Sequence, residues 1–373
     1  MLIARYITRA QFHAFSIVFI SLAGLTFVVD AFTNLEEFIN YSEEAGGLAR
    51  VLTTYYGYRL ISFFDATSPV IALASAMFAL SWLERHNELT ALLAAGITRW
   101  RIARPTIIFV AGVSILAAAS REFVLPSVRQ HFARNAQNLQ GDAEKPFEAR
   151  YDHRTEILFR GRFARLLDKT IQSPSLLLPP MLANYGPQID AHTMEWKPAD
   201  ELHPDGYLLT DVREPADIDH IQPIEPAIIL TRSVAPWLAP RQCFVTSDVT
   251  FEQMIGSTNW QQYSSTPELI HAIANPSLGL GPEVPLRVHS RFVSPFLDIS
   301  LALLGIPLVV GPIRKGIFVA VGLCVLMTVI FFGVVLGSHA LVSADVFSAS
   351  LGAWTPLLIL ASLAAWRAQP MWQ

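Results

Sequence analysis

Charged residues and cysteines are scarce in this sequence, and their scarcity excludes several classes of protein. Only 16% of the 373 residues are charged, compared with about 25% in soluble domains. The net charge is −4 and no run of Lys or Arg exceeds two residues, which excludes nucleic-acid binding driven by charge. The only cysteines are Cys243, in a polar region, and Cys324, in an apolar run, so no internal disulfide is expected. A hydrophobic share of 52% excludes a disordered chain.

Sequence motifs of several catalytic chemistries are also missing. There is no GxxxxGK[ST] phosphate-binding loop, no GxSxG nucleophile elbow and no HExxH zinc site. The segment 311–316 contains glycines and a lysine, but its spacing is wrong for a phosphate loop, and it is interpreted as a tight turn. We therefore expect this chain to have no ATPase site, no metal site and no bound cofactor.

Apolar runs are what the sequence has in abundance: there are six, in two groups of three. A membrane-spanning helix needs about 20 mostly apolar residues, so the longer runs qualify directly and the shorter ones need polar flanks or tilt. A cleaved signal peptide is the alternative for the first run, and a buried soluble helix is the alternative for the second. The runs are 12–29, 68–83, 102–119, 292–310, 316–337 and 351–366. The sequence predicts six membrane-spanning helices.

The region between the two groups has a different composition. Residues 125–290 hold 34 of the charged residues, whereas the other 207 residues hold 24. Short apolar segments alternate there with Pro and Gly turns, which is typical of a β-sandwich or jellyroll. The sequence thus predicts six transmembrane α-helices, three plus three, with a β-jellyroll or sandwich domain inserted between helices 3 and 4. The clearest predicted strands are 157–159, 206–212 and 227–230, and the predicted domains are 1–124, 125–290 and 291–373.

The distribution of positive charge predicts the orientation, because Lys and Arg concentrate in short cytoplasmic loops. If the N-terminus is cytoplasmic, nine Lys or Arg residues fall inside, and the short outer loops hold only Arg50 among several acidic residues. Both termini are then cytoplasmic and the region 125–290 is periplasmic in a bacterium with two membranes. The nine residues are Arg5, Arg9, Arg85, Arg99, Arg101, Arg104, Arg314, Lys315 and Arg367.

The loop between the second and third runs has a helical pattern. Its apolar positions recur at i, i+3, i+4 and i+7, which is one face of a helix. Gly96 suits the left-handed position that ends a helix, and Thr98 suits the cap of the next one. An amphipathic helix of this kind, at about 84–96, suits docking on a cytosolic partner, and the alternative is a membrane-surface helix without a partner. The four positions are Leu89, Leu92, Leu93 and Gly96.

Three stretches of the sequence resemble the lipopolysaccharide-export permeases of the LptF/LptG type. Residues 83–98 resemble the signature loop of that family, and residues 289–296, continuing into 303–308, resemble its entry into the fourth span. Trp354-Thr355-Pro356 is a weaker match at the start of the last span. The organisation resembles the family along the whole chain, although the domain 125–290 does so in size and character more than in residues.

The resemblance implies the permease half of an ABC exporter, without its own ATPase site. It would extract lipopolysaccharide or a related multi-acyl glycolipid from the outer leaflet of the inner membrane and pass it to a periplasmic β-jellyroll. Two halves, of F type or G type, would sit on a dimer of a separate ATPase (LptB), which hydrolyses ATP with Mg²⁺, and a single-span protein (LptC) would assist. The coupling-helix residues implied to contact the ATPase are Glu84, Arg85, Glu88, Leu89, Leu92, Leu93, Gly96 and Arg99.

The resemblance also implies that the first and fifth spans form a lateral gate for lipid. Lipid phosphates need cations, yet Asp30 stands where family members often have basic residues. We expect Asp65 and Asp298 to lie within the bilayer, where charges are costly and often functional, and Arg291 and Asp298 to share polar partners on one helix face. Candidate lipid-pathway and gate residues are Phe27, Asp30, Phe32, Arg59, Arg121, Arg291, Asp298, Phe331 and Phe332.

A second function class stays open beside transport. An ATPase-coupled mechanotransmission or signalling protein would have the same spans without conducting lipid. An intramembrane enzyme is a third class, supported only by scattered residues on different spans. The signature loop and the three-plus-three layout favour the transporter.

Overall fold

The computed structural model describes residues 2–132, 144–166, 168–200, 203–222, 227–256, 258–310 and 317–369. The predicted turn at 311–316 lies outside these residues. The contacts divide the chain into two compact units, which we call the helical unit and the sheet unit. The helical unit comprises Met1–Val128, Ser264–Ile270 and Gly281–Gln373, and the sheet unit comprises Arg129–Tyr263 and His271–Leu280.

The α-helices of the described residues are numbered here in chain order. A π-helix, Ser120–Val124, continues α5 directly into α6, and short 3₁₀-helices occupy Pro180–Tyr185, Ile218–His220 and Pro276–Leu278. The α-helices are α1 Leu2–Thr33, α2 Leu35–Ala45, α3 Leu48–Arg85, α4 Glu88–Ala94, α5 Arg99–Ala119, α6 Leu125–Phe132, α7 Phe251–Met254, α8 Thr258–Tyr263, α9 Thr266–Ala274, α10 Glu283–Val310, α11 Ile317–Ser343 and α12 Ala349–Ala368.

Six helices of the described residues are long and apolar enough to cross a membrane. Three precede the sheet and three follow it, which confirms the predicted arrangement. The helices extend beyond the apolar runs, because residues of ordinary helix propensity continue a helix that hydropathy detects only in part. The six spans are Leu2–Thr33, Leu48–Arg85, Arg99–Phe132, Glu283–Val310, Val325–Ser343 and Ala349–Ala368.

The spans differ in how much of their apolar surface the chain itself covers. In the most apolar window of α10, 61% of the residues are buried, compared with 11% in α1 and 17% in α11. Gly305 lets α10 approach α3 closely, because a Cβ there would clash with the Leu73 side chain. The core of the helical unit therefore forms around α3, α5 and α10, whereas α1 and α11 keep large apolar surfaces uncovered.

Ten short strands of the described residues form one curled antiparallel sheet, as predicted for the region between the third and fourth spans. The main order is β1-β4-β5-β7-β6-β3-β2, β8 pairs with β7 and β10, and β9 pairs with β10. The strands are β1 Glu144–Pro146, β2 Arg150–Asp152, β3 Ile157–Arg160, β4 Phe163–Arg165, β5 Thr170–Gln172, β6 Ser175–Leu177, β7 Gln188–Lys197, β8 Gly206–Glu214, β9 Ile229–Thr231 and β10 Gln242–Thr246.

Alternating side chains of these strands build the core of the sheet unit. In β3, Ile157 and Phe159 are buried and the residue after each is not, which is the period-two pattern of a strand with one covered face. Tyr207 of β8 is fully buried, and its hydroxyl donates a 2.9 Å hydrogen bond to the Val249 carbonyl. The strands predicted at 157–159 and 206–212 lie within β3 and β8, and the one predicted at 227–230 begins two residues later, as β9.

A buried carboxylate joins the early and late parts of the sheet unit. Asp152, at the end of β2, accepts hydrogen bonds from the Ser277 hydroxyl at 2.8 Å and the Ser247 hydroxyl at 3.0 Å. It also accepts one from the Arg154 backbone N–H at 2.9 Å. These donors compensate the desolvation of the charge, so the carboxylate stabilises the loops that meet there.

Candidate functional site

The loop between the second and third spans forms a short helix, α4, with a defined end. Gly96 has a φ of +79°, the left-handed conformation that glycine adopts without a Cβ penalty, as the sequence predicts. Thr98 precedes α5 with an extended backbone, but its side chain makes no capping hydrogen bond. Glu84 and Arg85 belong to the last turn of α3, so the segment predicted as one helix at 84–96 consists of the end of α3, a bend at 86–87 and α4.

The apolar face of α4 packs into its own chain. Leu89 is buried, and Leu92 and Leu93 are half-buried against the core of the helical unit. The contact of these leucines with a partner stays a prediction, because periodicity identifies an apolar face but not everything that covers it. The surface left for a partner lies on the opposite side, where the exposed residues are Arg85, His86, Asn87, Thr90, Ala91, Ala94 and Ala95.

Glu88, the first residue of α4, is connected to the first span. The Tyr6 hydroxyl of α1 donates a 2.9 Å hydrogen bond to Glu88 Oε2. On the other side of the bend, Arg99 is half-buried in the first turn of α5. The sequence does not predict the contact between Tyr6 and Glu88, since the two residues are 82 positions apart.

Asp30, near the end of α1, is bound to neighbours in the chain. Its carboxylate accepts a 2.8 Å hydrogen bond from the Tyr56 hydroxyl of α3 and a 3.3 Å one from the Asn34 side chain. Phe27 stacks on Tyr56 with ring centroids 4.9 Å apart, whereas Phe32 is 73% exposed. The acidic residue thus joins α1 to α3 in this chain, and Phe32 is the gate candidate of α1 that lies open.

Two arginines among the lipid-pathway candidates have partners inside the helical unit. Arg121 forms a 2.9 Å ion pair with Asp65 of α3 and donates a 3.3 Å hydrogen bond to the Ser294 hydroxyl of α10. Arg59 lies over the Tyr55 ring, with its guanidinium carbon 4.3 Å from the ring centroid, a cation–π contact. The network around Arg121 therefore joins α3, the π-helix and α10.

A second polar group surrounds Glu122, the neighbour of Arg121 in the π-helix. Glu122 accepts hydrogen bonds from the Thr266 backbone N–H at 3.0 Å and from the Thr266 hydroxyl at 2.8 Å. The Arg291 guanidinium lies 3.9 Å from Glu122 and donates a 3.3 Å hydrogen bond to the Thr266 hydroxyl. Asp298 accepts from the Ser114 hydroxyl instead. Arg291 and Asp298 have different hydrogen-bond partners among these contacts, but both lie within electrostatic range of Arg121 and Asp65.

Arg287 is a further cation beside the candidate site residues, and the sequence patterns did not indicate it. It lies one turn before Arg291 on α10, is half-buried, and is close enough to repel Arg121 and Arg291. Among the described residues it has neither a hydrogen bond nor an ion pair. Its spacing of four from Arg291 is visible in the sequence, but its lack of an anionic partner is visible only in the fold.

The gate candidates of the fifth span differ in accessibility. Phe331 is buried in the core of the helical unit, whereas Phe332 is 37% exposed. Their rings meet edge to face with centroids 5.4 Å apart. Phe331 therefore supports Phe332 from within, and Phe332 lies on the surface that the chain leaves uncovered.

Comparison with known families gives one match that covers most of the chain. A family model described as "Lipopolysaccharide export system permease LptF/LptG" matches residues 5–162 and 210–369, including all six spans. The chain belongs to the LptF/LptG family. A comparison with curated proteins found no match. As an LptF/LptG member with six spans, the chain is a multi-pass inner-membrane permease, a transport subunit rather than a catalytic enzyme.

The matched segments of this LptF/LptG permease contain both features described above. The bend that holds α4 and the arginine network of α5 and the π-helix lie in the first segment, and α10 lies in the second. Residues 163–209, from β4 into β8, fall outside the match. Among the residues that the structure describes, no group of three or more His, Cys, Asp or Glu side chains is placed to hold a metal ion.

Proposed function

We propose that this chain is one of two permease halves that extract lipopolysaccharide, or a related multi-acyl glycolipid, from the outer leaflet of the inner membrane. The family match over both groups of spans is the observation that carries this proposal. The cytosolic ATPase dimer is a separate LptB-type protein that binds and hydrolyses ATP with Mg²⁺. The sheet unit receives the lipid, aided by an LptC-type single-span protein.

The proposed orientation has both termini in the cytoplasm and the sheet unit in the periplasm. Its support is the excess of Lys and Arg in the loops on the side of the termini. In this orientation the bend holding α4 is cytoplasmic. The polar network of Asp65, Arg121 and Arg291 then lies toward the outer end of the spans.

The proposed contact with the ATPase is the exposed side of α4 and of the bend before it. Its alanines permit close approach of another backbone, and polar residues surround them. Glu84, Glu88 and Gly96 lie at the edges of this surface, with Arg85 and Arg99 beside them. The inward face of α4 consists of Leu89, Leu92 and Leu93, which fix the helix to the core of the helical unit. A displacement of α4 by the ATPase would reach the spans through this core.

The proposed contact with lipid is the uncovered surface of α1 and α11 together with a cationic site on α10. Phe32 and Phe332 are exposed apolar residues on those two spans. Arg287 is the cation that takes a phosphate, since Arg121 and Arg291 already contact Asp65 and Glu122. Arg287 is proposed in addition to Arg59, Arg121 and Arg291, which the sequence suggests as lipid-pathway candidates.

Affinity purification of the tagged full chain from its own membranes, in mild detergent, tests the proposal. Mass spectrometry then identifies both the proteins and the lipids that are retained. We expect a cytosolic ATPase, a second permease half and a multi-acylated glycolipid. An ATPase without an enriched lipid would support the mechanotransmission alternative, and the absence of both would contradict the exporter.

A further inference from the structure

The first span of this chain leaves most of its surface uncovered, while Phe15, Phe19 and Phe27 on its packed side contact aromatic rings of α3 and α5. Its apolar window is 11% buried, the lowest value of the six spans found in the described residues. Inside its packed face lies Gln11, which is fully buried and whose amide nitrogen and oxygen have no hydrogen-bond partner in the described residues. An unsatisfied buried amide lowers the stability of the packing between α1 and its neighbours at this point.

Two polar contacts hold α1 near its ends. At the outer end Asp30 binds Tyr56 of α3, and at the inner end Tyr6 binds Glu88 of α4. Ile3 and Ile7 beside Tyr6 pack in the same apolar core as the leucines of α4. The inner contact therefore connects α1, the span with the lowest buried share, with the helix that bears the proposed docking surface.

Glu88 can serve two partners at once. Oε2 accepts from Tyr6, and Oε1 accepts no hydrogen bond from the residues that the structure describes. A carboxylate has about four acceptor positions, so a donor on another protein and the Tyr6 hydroxyl are compatible. Glu88 also begins α4 directly after Asn87, whose φ of +61° marks a sharp bend, so a pull on Glu88 acts on the junction of α3 and α4.

We propose that Tyr6 is a positioning residue that transmits displacement of α4 to the first span through its hydrogen bond with Glu88. The inference rests on the proposed function, in which α4 is displaced by an ATPase. The ATPase moves α4, Glu88 carries Tyr6 with it, and the inner end of α1 follows, because Tyr6 lies in the first two turns of that helix. Without the hydroxyl, α4 still binds the ATPase but moves α1 less effectively.

The test uses the complete complex, purified with its partners and reconstituted in liposomes that contain lipopolysaccharide. ATP hydrolysis and lipopolysaccharide release are measured in the same sample for the wild type and for Tyr6→Phe. Tyr41→Phe is the matched control, because Tyr41 lies on α2 and its hydroxyl has no hydrogen-bond partner among the described residues. The midpoint of thermal unfolding is recorded for each variant.

We expect Tyr6→Phe to assemble at the wild-type yield and unfold at the wild-type temperature. The lipid released per ATP hydrolysed should fall about fivefold, the effect of one lost hydrogen bond, whereas Tyr41→Phe should match the wild type. An unchanged ratio in Tyr6→Phe would overturn the inference, as would a loss of yield or stability that accounts for the whole change. If the wild-type complex itself hydrolyses ATP without releasing lipid, the proposed function fails first, and that result is visible before any variant is compared.

Discussion

The ion pair between Asp65 and Arg121 joins charges that lie 56 positions apart in the sequence. Both side chains are about one-fifth to one-quarter exposed, and the guanidinium also reaches Ser294. A partly buried pair of this kind contributes little in itself, but removing one member leaves the other charge poorly solvated. Such a site is therefore sensitive to single substitutions.

Asp65→Asn should destabilise the chain because it leaves Arg121 without its counter-charge. We expect a loss of about 2 kcal/mol in the free energy of unfolding, measured by denaturation in detergent. Glu36→Gln, which changes an exposed carboxylate on α2, is the control and should alter stability by less than about 0.5 kcal/mol. Equal stability of Asp65→Asn and the wild type would show that the pair does not hold α3 to α5.

Arg287→Gln should weaken retention of phosphorylated lipid by about tenfold, the effect of one charge-assisted hydrogen bond. The measurement is lipid bound per mole of purified complex, comparing lipid A with its dephosphorylated form. Arg104→Gln, at an exposed arginine near the start of α5, is the control and should retain lipid normally. Equal loss with both lipids would argue against a phosphate contact.

Burial raises the pKa of the Cys243 thiol to about 12, from an ordinary value of 9.0, and the nearby Asp219 raises it further. In the unfolded chain the thiol releases its proton near its ordinary pKa, whereas in the folded chain it cannot. The stability of the sheet unit should therefore decrease as the pH rises from about 9 toward 12. Chemical denaturation of the full chain across this range, followed by fluorescence, should show a shallower decrease for Cys243→Ala. An identical slope would contradict the assignment.

Single residues show where prediction from sequence stops. Gly96 was predictable because only its own backbone conformation matters. Asp65 and Asp298 were recognisable as costly charges in a membrane, but the sequence does not contain their contacts with Arg121 and Ser114, which depend on how the helices pack. Arg287 went unnoticed for the same reason, since a cation stands out only when its neighbours are known to lack an anion.

At the level of elements, the π-helix is the irregular feature that lets the adjacent residues Arg121 and Glu122 each reach a polar partner. Its wider turn reduces the angle between neighbouring side chains, so that Arg121 meets Asp65 and Ser294 while Glu122 meets Thr266. Such wide turns occur often at functional sites. No sequence pattern predicted it, because the apolar periodicity of a lipid-exposed helix is weak there.

Deleting Phe123 should convert the π-helix to an ordinary α-helical turn. Arg121 and Glu122 then diverge, and at least one of their contacts is lost. We expect destabilisation of about 2 kcal/mol, measured by denaturation in detergent. Phe123→Ala, which keeps the chain length and changes a side chain that is 75% exposed, should stay within about 0.5 kcal/mol of the wild type. If both variants behave alike, the wide turn has no structural role.

The short helix α4 shows a different limit of prediction. Its apolar stripe and its glycine end follow from local spacing, and both are present. The direction in which its apolar stripe faces depends on the core of the helical unit, which the local spacing of residues 88–94 does not reveal. The stripe packs inward, and the docking surface that we propose is therefore the polar and alanine-rich side of α4.

For the whole molecule, composition was enough to predict the six spans and the inserted sheet. Transmembrane helices need long apolar runs, and a solvated sheet needs charges and turns. The two parts of the chain therefore differ clearly in hydropathy and in their density of charged residues. The uneven burial of the spans was not predictable, because α1 and α11 are as apolar as the helices that form the core.

The orientation of the chain can be tested with single cysteines in a background with Cys243 and Cys324 replaced by serine. A cysteine at Asn87, in the bend before α4, should react with a membrane-impermeant maleimide only after the inner membrane is opened. A cysteine at Ser348, between α11 and α12, should react once the outer membrane is permeable. The reverse pattern would invert the proposed topology.

The bond between Asp152 and Ser277 also has a consequence for biosynthesis. The two residues are 125 positions apart, so the ribosome has finished Asp152 long before its partner exists. Until Ser277 has been synthesised, Asp152 lacks this hydrogen-bond donor. The sheet unit cannot reach its final structure before then. Closure then nearly coincides with the synthesis of α10, whose first residue follows Ser277 by six positions. The sheet unit therefore cannot be completed before synthesis has nearly reached the fourth span.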